Sequence, residues 1–389
     1  MTPVGKHPGS ARTLTRAGRG LTMVPGQGLI HDFGLLAQDG RILAAGPWSD
    51  VRRAAPAGTE LRDLGPVALA PGLVNAHGHL EMAHMEGRTV SGQGFLEWIK
   101  SLVAQPLYQP DPGAMARAAR AMRDAGTAFV ADIATRSAPL AAEVLAGAGL
   151  GFLGFHEAIG QGEPPAALPG NPESPLGRSA WAGHALYSTA PGVLAAAKAL
   201  DNAAGLPFSL HLAEHDDEIS ILRDGSGPFV ELMRSRGVRW DFDAPGRSPV
   251  AQAETLGLLD EKTLCVHCVK VGEEDIEILA RRGCAVCLCP RSNASIGVGR
   301  APWEKYRRAG IPLCLGTDSL ASNQDLDLWA EVRFFAQGFR DPLDLEAAVA
   351  LATRNPARAL GLDGDYGTLA PGHYDAVSVV PPDLFNLFE

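Results

Sequence analysis

A chain of 389 residues, 46% apolar and 20% charged, can build a large barrel-sized core plus a smaller module. Its net charge of −10 argues against a nucleic-acid or anionic-membrane surface, since such partners need a basic stripe. No apolar run approaches the roughly 20 residues of a membrane span, and the basic start, MTPVGKHPGSARTLTRAGRG, lacks the apolar core of a secretory signal.

Residues 1–66 are rich in Gly and Pro, with HDFGLLAQDGRILAAG reading as short strands around an Asp39-Gly40 turn. GTLAPGHYDAVSVVPP, from Gly367, reads as turn then strand. The two terminal pieces, 1–66 and 365–389, are therefore expected to form one small β-sandwich domain around a middle of 67–364. Within that middle, apolar β-like runs fall at 68–76, 127–133, 151–155, 183–187, 208–212, 263–267, 284–288 and 312–316. Helical stretches separate them at 113–125, 139–148, 191–203, 273–282 and 303–309, and two more follow the last strand at 326–336 and 344–360. That alternation predicts an α/β fold, a (β/α)8 barrel of parallel strands, with its chemistry at the C-terminal ends of the strands.

The polar residues stand there. PGLVNAHGHLEM ends the first run with His77 and His79, which strand alternation sends to one face. Two neutral imidazoles on one face are half of a metal site; a pair of ordinary buried histidines is the bland alternative. On the fifth strand, SLHLAEHDDE carries His211 and, three residues on, Glu214, so the chain must leave strand geometry near Ala213 if both are to face one site. The acids that follow, Asp216 to Glu218, read as a solvated helix N-terminus. The sixth strand ends in His267, the fourth histidine at such a position. On the eighth, LGTDS puts Asp318 just beyond an apolar run, where a carboxylate must be paired, hydrated or metal-bound. The six cysteines lie in or beside β-like runs of the second half and read as buried thiols of a reducing compartment, the cytoplasm, rather than as zinc half-sites.

These motifs in this order, PGLVNAHGHL, HLAEHDDE, LCVHC, CPRSN, LGTDS and GTLAPGHYDAV, resemble the amidohydrolase superfamily over nearly the whole chain, and most closely its single-metal deaminase and chlorohydrolase branch. The resemblance implies one divalent metal, zinc or alternatively ferrous iron, held by His77, His79, His211 and Asp318. It also implies that Glu214 and His267 handle protons and orient the attacked group, with Asp318 accepting the proton of the attacking water. The two-metal branch places a carboxylated lysine or a glutamate on the fourth strand; the run 183–187 contains neither, and the nearest lysine, Lys198, falls in the next helix. HGHLEM with GFLEWIKSL, HLAEH and LGTDSLASN is most similar to the aminodeoxyfutalosine deaminases of menaquinone biosynthesis. Adenosine, methylthioadenosine and S-adenosylhomocysteine deaminases are the near alternative, and other cyclic amidine or amide hydrolases a further one. A barrel that binds a metal or ligand without catalysis is the reading from another class; it has no need of Glu214 and His267.

The expected partners are a small-molecule substrate and water, and a homodimer is expected by the same resemblance. Candidate substrate contacts are Trp98, in the loop after the first strand, Glu157 at the end of the third, His184 and Tyr187 on the fourth, Arg291 and Asn293 after the seventh, and Ser319 after the eighth. Glu81, His84 and His156 have surface or packing explanations as good as any functional one.

Overall fold

The structure is a computed structural model that describes residues 12–107, 109–237, 243–338 and 343–388. Its N-terminal strands are β1 (Arg12–Leu21), β2 (Leu29–Gln38), β3 (Arg41–Pro47), β4 (Glu60–Asp63) and β5 (Ala68–Pro71). The barrel strands are β6 (Leu73–Gly78), β7 (Thr127–Ala134), β8 (Gly151–Ala158), β9 (Gly177–Gly183), β10 (Phe208–Leu212), β11 (Thr263–His267), β12 (Ala285–Leu288) and β13 (Leu313–Leu315). A last strand, β14 (Val377–Val379), returns from the C-terminal end to the first sheet, whose order is β14-β5-β1-β2-β3 with β4 paired to β1. Both termini thus build one small hydrogen-bonded sheet. Its β2–β3 hairpin turns at Asp39 (φ 53°) and Gly40 (φ 76°), the two left-handed residues that a two-residue hairpin with native twist requires. Strand alternation sends Phe33 and Leu35 into one apolar cluster and Leu36 into another, where it packs against Trp48 and Val51 of helix α1 (Trp48–Ala54).

The eight barrel strands are parallel neighbours in sequence order. The ring is completed where the Asp318 N–H donates to the His77 carbonyl (3.0 Å), beside a bridge between Gly78 and Asp318. Alternation along the strands fills the interior with side chains such as Val74, Ala131, Phe155, Val266 and Cys287, while Leu210, Leu212 and Leu288 face the helical shell. The shell begins with α2 (Phe95–Val103), α3 (Pro112–Asp124), α4 (Ala138–Ala148), α5 (Pro191–Ala204) and α6 (Asp216–Asp224). No helix among the described residues is long and apolar enough to cross a membrane.

Four features differ from the sequence expectation. The run 68–76 is two strands: Ala68–Pro71 joins the terminal sheet and Leu73–Gly78 the barrel, with Gly72 between them. A Cβ on Gly72 would lie 2.5 Å from the Cβ of Ala128 and 3.1 Å from that of Ala376, so only glycine lets the two sheets meet there. Gly72→Ala is therefore expected to cost about 1–3 kcal/mol by overpacking, read as a lower urea midpoint; an unchanged midpoint would refute this account of the junction. The fourth strand is Gly177–Gly183, not 183–187, and no helix joins it to β8. Its glycines resemble turn signals but serve close packing, since a Cβ on Gly177 would enter the Phe152 ring and one on Gly183 would meet Leu194 at 2.4 Å. Trp98 lies not in a loop but on helix α2, which starts after Gly94 (φ 88°). Finally, 344–360 breaks into Leu345–Ala350 and Arg354–Ala359, with Pro356 in the first turn of the second piece, where its missing N–H has no partner to lose.

Candidate active site

His77 is on β6 and His79 immediately follows it; His211 is on β10, and Asp318 lies beyond β13 at the seam of the barrel. The Nε2 of His79 is 3.1 Å from the Nε2 of His77 and 3.3 Å from that of His211. Asp318 Oδ1 lies 3.8 Å from His77 Nε2 and 3.6 Å from His79 Nε2. Its other oxygen, Oδ2, accepts from the hydroxyls of Ser292 (2.6 Å) and Ser322 (2.8 Å), which aims Oδ1 at the imidazoles.

The spacing fits a shared cation. Four ligands at about 2.0–2.1 Å from a tetrahedral ion are about 3.3 Å from one another, and the imidazole nitrogens stand at 3.1 and 3.3 Å. His211 donates Nδ1–H to the His184 carbonyl (3.0 Å), so in the neutral ring its Nε2 carries a lone pair. Burial, with the neighbouring histidines adding to it, holds both His77 and His211 well below the ordinary histidine range, in the neutral form that binds metal. Lone pairs converging on a carboxylate oxygen in a buried site make a cation site. Gly316 lets this wall close, since a Cβ there would fall 2.7 Å from the Cβ of His77.

The bend expected at Ala213 is present: β10 stops at Leu212, Ala213 has φ 52°, and Glu214 turns into the same cavity as His211. Its Oε1 is 3.8 Å from His267 Nε2, while His267 Nδ1 donates to Asn293 Oδ1 (2.9 Å). Burial holds the Glu214 carboxyl above the usual carboxylate range, with His267 pulling the other way. His267 (φ 71°), Cys268 (φ 46°) and Asp318 (φ 57°) are left-handed too. The barrel mouth thus concentrates backbone strain where the chemistry-bearing side chains leave their strands, at about 1–3 kcal/mol per such residue.

His79, His211, Glu214, His267 and Asp318 line a cavity of about 680 Å³. Of the candidate substrate contacts, Trp98, Glu157, His184, Tyr187 and Ser319 also line it. Trp98 is anchored by Nε1–H donation to the Ala321 carbonyl (2.8 Å), so α2 covers the mouth. Glu157 accepts from Thr135 Oγ1 (2.6 Å), and its Oε1 comes within 3.7 Å of His211 Nδ1. His184 bonds Ser188 Oγ (2.6 Å) and is held near a pKa of about 4 by burial.

Two candidates fall elsewhere. Arg291 does not line the cavity: its guanidinium is engaged by Asp325 (2.6 and 2.9 Å), with Glu331 at 3.7 Å. Asn293 is also outside it, behind His267, which it holds by the ring nitrogen. Glu81 and His84 are buried rather than on a surface loop. Glu81 accepts from the N–H groups of Thr135 (2.8 Å), Arg136 (3.2 Å) and Ser137 (3.0 Å) at the start of α4. His84 bonds the Glu81 (3.1 Å) and Pro106 (3.2 Å) carbonyls. His156 is on β8 but borders a different hollow, near Asn171 and Ser179. All six cysteines are buried and free. Lys198 is tied to Asp260 (2.6 Å), and β9, Gly-Arg-Ser-Ala-Trp-Ala-Gly, carries neither lysine nor glutamate.

Sequence reasoning missed His215 and Phe95. His215 caps α6, accepting from the Glu218 N–H (3.2 Å), and its Nε2 bonds Tyr187 OH (3.1 Å). Its ring stacks on Phe95 with centroids 3.4 Å apart, fastening the covering helix to the fifth-strand loop. The signal was available in HxxEH, but a histidine beside an acid run reads first as helix surface. Glu218, expected in a solvated helix N-terminus, is instead buried, and both its oxygens accept backbone hydrogen bonds.

A closed parallel barrel with imidazoles and a carboxylate converging at its C-terminal mouth defines a metal-dependent hydrolase. Residues 68–388 match the model of the amidohydrolase family. A 5-methylthioadenosine/S-adenosylhomocysteine deaminase of Symbiobacterium thermophilum is 31% identical over 382 residues, covering 91% of this chain and 82% of its own length. An aminodeoxyfutalosine deaminase of Deinococcus radiodurans is 29% identical over 338 residues, 82% of this chain and 79% of that protein. The crystal structure of an adenosine deaminase from Xanthomonas campestris with bound zinc has a TM-score of 0.76 at 25% identity, covering 95% of this chain and 85% of that one. The chain belongs to the amidohydrolase family.

Proposed function

We propose that the protein is a hydrolytic deaminase acting on an aminated purine-type ring, with 6-amino-6-deoxyfutalosine, an intermediate of menaquinone biosynthesis, as the first candidate substrate. The observation that carries this reading is Glu214: a carboxyl only 13% exposed, kept above the ordinary range by burial, with Oε1 3.8 Å from His267 Nε2 in the cavity that His79 and His211 also line. A cavity that only bound a ligand would have no use for an acid so placed.

The residues that would hold the metal are His77, His79, His211 and Asp318. Three imidazoles and one carboxylate suit a single zinc, with ferrous iron the alternative. When bound, the cation supplies Lewis acidity, bringing the pKa of water down to about 7. Asp318, its Oδ2 anchored by two serines, accepts through Oδ1 the proton of the attacking water. His267, fixed by Asn293, aligns that water on the amino-bearing ring carbon. Glu214 protonates the adjacent ring nitrogen, so charge does not accumulate there. A C–O bond forms, Asp318 passes the proton it took to the amino group, the C–N bond breaks to release ammonia, and the remaining hydroxyl proton returns to Glu214 as the ring becomes a lactam. Trp98 and Tyr187 are the walls against which the ring would rest.

A second reading is favoured by the 31% identity to the Symbiobacterium protein: a thioether-substituted or unmodified adenosine as substrate at the same centre. The net charge of −10 supports a small molecule over a nucleic acid as partner, and the free buried cysteines suit the cytoplasm. Ammonia release from 6-amino-6-deoxyfutalosine, methylthioadenosine, S-adenosylhomocysteine and adenosine tests all of this. One of them is expected to react with kcat/KM above about 10⁴ M⁻¹s⁻¹. A zinc-loaded protein that releases ammonia from none of them would sink the deaminase reading.

A further inference from the structure

The bend that brings His211 and Glu214 to one cavity leaves two consecutive backbone N–H groups, those of Ala213 and Glu214, outside the sheet ladder. Both donate to a single side chain. Glu218 Oε1 accepts from Ala213 N (3.0 Å) and Oε2 from Glu214 N (2.8 Å). Glu218 is only 1% exposed, and it stands at the third position of α6, where a glutamate ordinarily turns back to the N–H of the capping residue. Here it reaches past His215 to the two residues before it. The side chain has little freedom to do otherwise, because its own N–H is held by His215 Nδ1, whose ring is fixed by Tyr187 and Phe95.

We propose that Glu218 is a positioning residue: its carboxyl group clamps the left-handed turn at Ala213 and so sets where the Glu214 carboxyl stands relative to His267. The clamp spans the acid, not the metal. His211 is held separately, through its backbone and Nδ1 contacts to the His184 carbonyl, so slackening the turn moves Glu214 while leaving the imidazole in place. The proposal rests on the reading of Glu214 as the proton donor.

The test is Glu218→Gln, which keeps the shape but turns an amide NH2 toward a backbone N–H. Turnover is expected to fall by about 10- to 100-fold, the loss typical of supporting residues one step removed from a reacting group. KM and zinc content should be little changed. In the E214Q background the same substitution should cost almost nothing more, because a clamp acting through Glu214 has nothing left to position. Equal additional loss in that background, or loss that tracks zinc content, overturns the proposal. An active E214Q would instead strike at the proton-donor assignment. A crystal structure of zinc-loaded E218Q then decides the clamp without any substrate: the Glu214 carboxyl is expected to have left His267, and its staying there overturns the idea. Should E218Q not fold, E218D retains the carboxyl group with a shorter reach and is read in the same ways.

Discussion

Glu214→Gln is expected to lower turnover by about 10²- to 10⁴-fold while the protein keeps its metal. The size follows from the role. Glutamine fills the same space beside His267 but cannot give a proton to the ring nitrogen, so negative charge develops on that nitrogen without neutralisation. Among the described residues the clusters of metal-binding donors draw on His77, His79, His211, Asp318, His267, Glu157 and His184 but not on Glu214, so zinc content by elemental analysis should match the unsubstituted protein. Loss of zinc in proportion to activity would mean that Glu214 is a ligand, and the proton would need another donor.

Stripping the metal with a chelator should abolish turnover and lower the melting midpoint, and zinc should restore both. Folded and unfolded chains differ sharply here, because only the folded barrel brings three imidazole nitrogens within 3.1–3.3 Å steps and sets a buried carboxylate oxygen beside them. A ligand that binds only the folded state at about 1,000 times its Kd stabilises it by about 4.1 kcal/mol. Zinc titration followed by calorimetry measures this directly. A midpoint indifferent to zinc would remove the cation from its proposed place, and the deaminase chemistry with it.

The two results read different parts of one site, and those parts were unequally visible in the sequence. Alternation along a strand is a local property with a period of two, so His77 and His79 could be assigned to one face from their spacing alone. The interval between His211 and Glu214 was also informative, because no regular strand can send both to one cavity; the left-handed Ala213 is the solution the chain adopts. What holds that turn could not be read in the same way. Glu218 sits in an acid run that resembles a solvated helix start, and only the turn at Ala213, with His215 held by Tyr187 and Phe95, makes it a buried acceptor. Arg291 shows the converse error: an arginine beside a strand end suggests substrate contact, but Asp325 and Glu331, which lie more than 30 residues away in sequence, claim it first.

The glycines divide along the same line. Asp39-Gly40 is a turn because its own backbone must take two positive φ angles, and the dipeptide announces this. Gly72, Gly177 and Gly183 are glycines because a neighbouring Ala128, Phe152 or Leu194 occupies the space of a Cβ, and nothing nearby in the chain declares those neighbours.

By itself, then, the sequence determined the alternation of strand and helix, the barrel and the identities of the groups at its mouth, since these depend on periodicity and on residue chemistry carried in a few contiguous motifs. Tertiary structure alone decided where the fourth strand runs, how the 68–76 run divides between two sheets, and which polar side chains face the cavity rather than one another. The reason is physical: a side chain's partner is whatever lies within about 3 Å of it, and at the closure of a barrel that neighbour comes from the far end of the chain, as Asp318 does for His77.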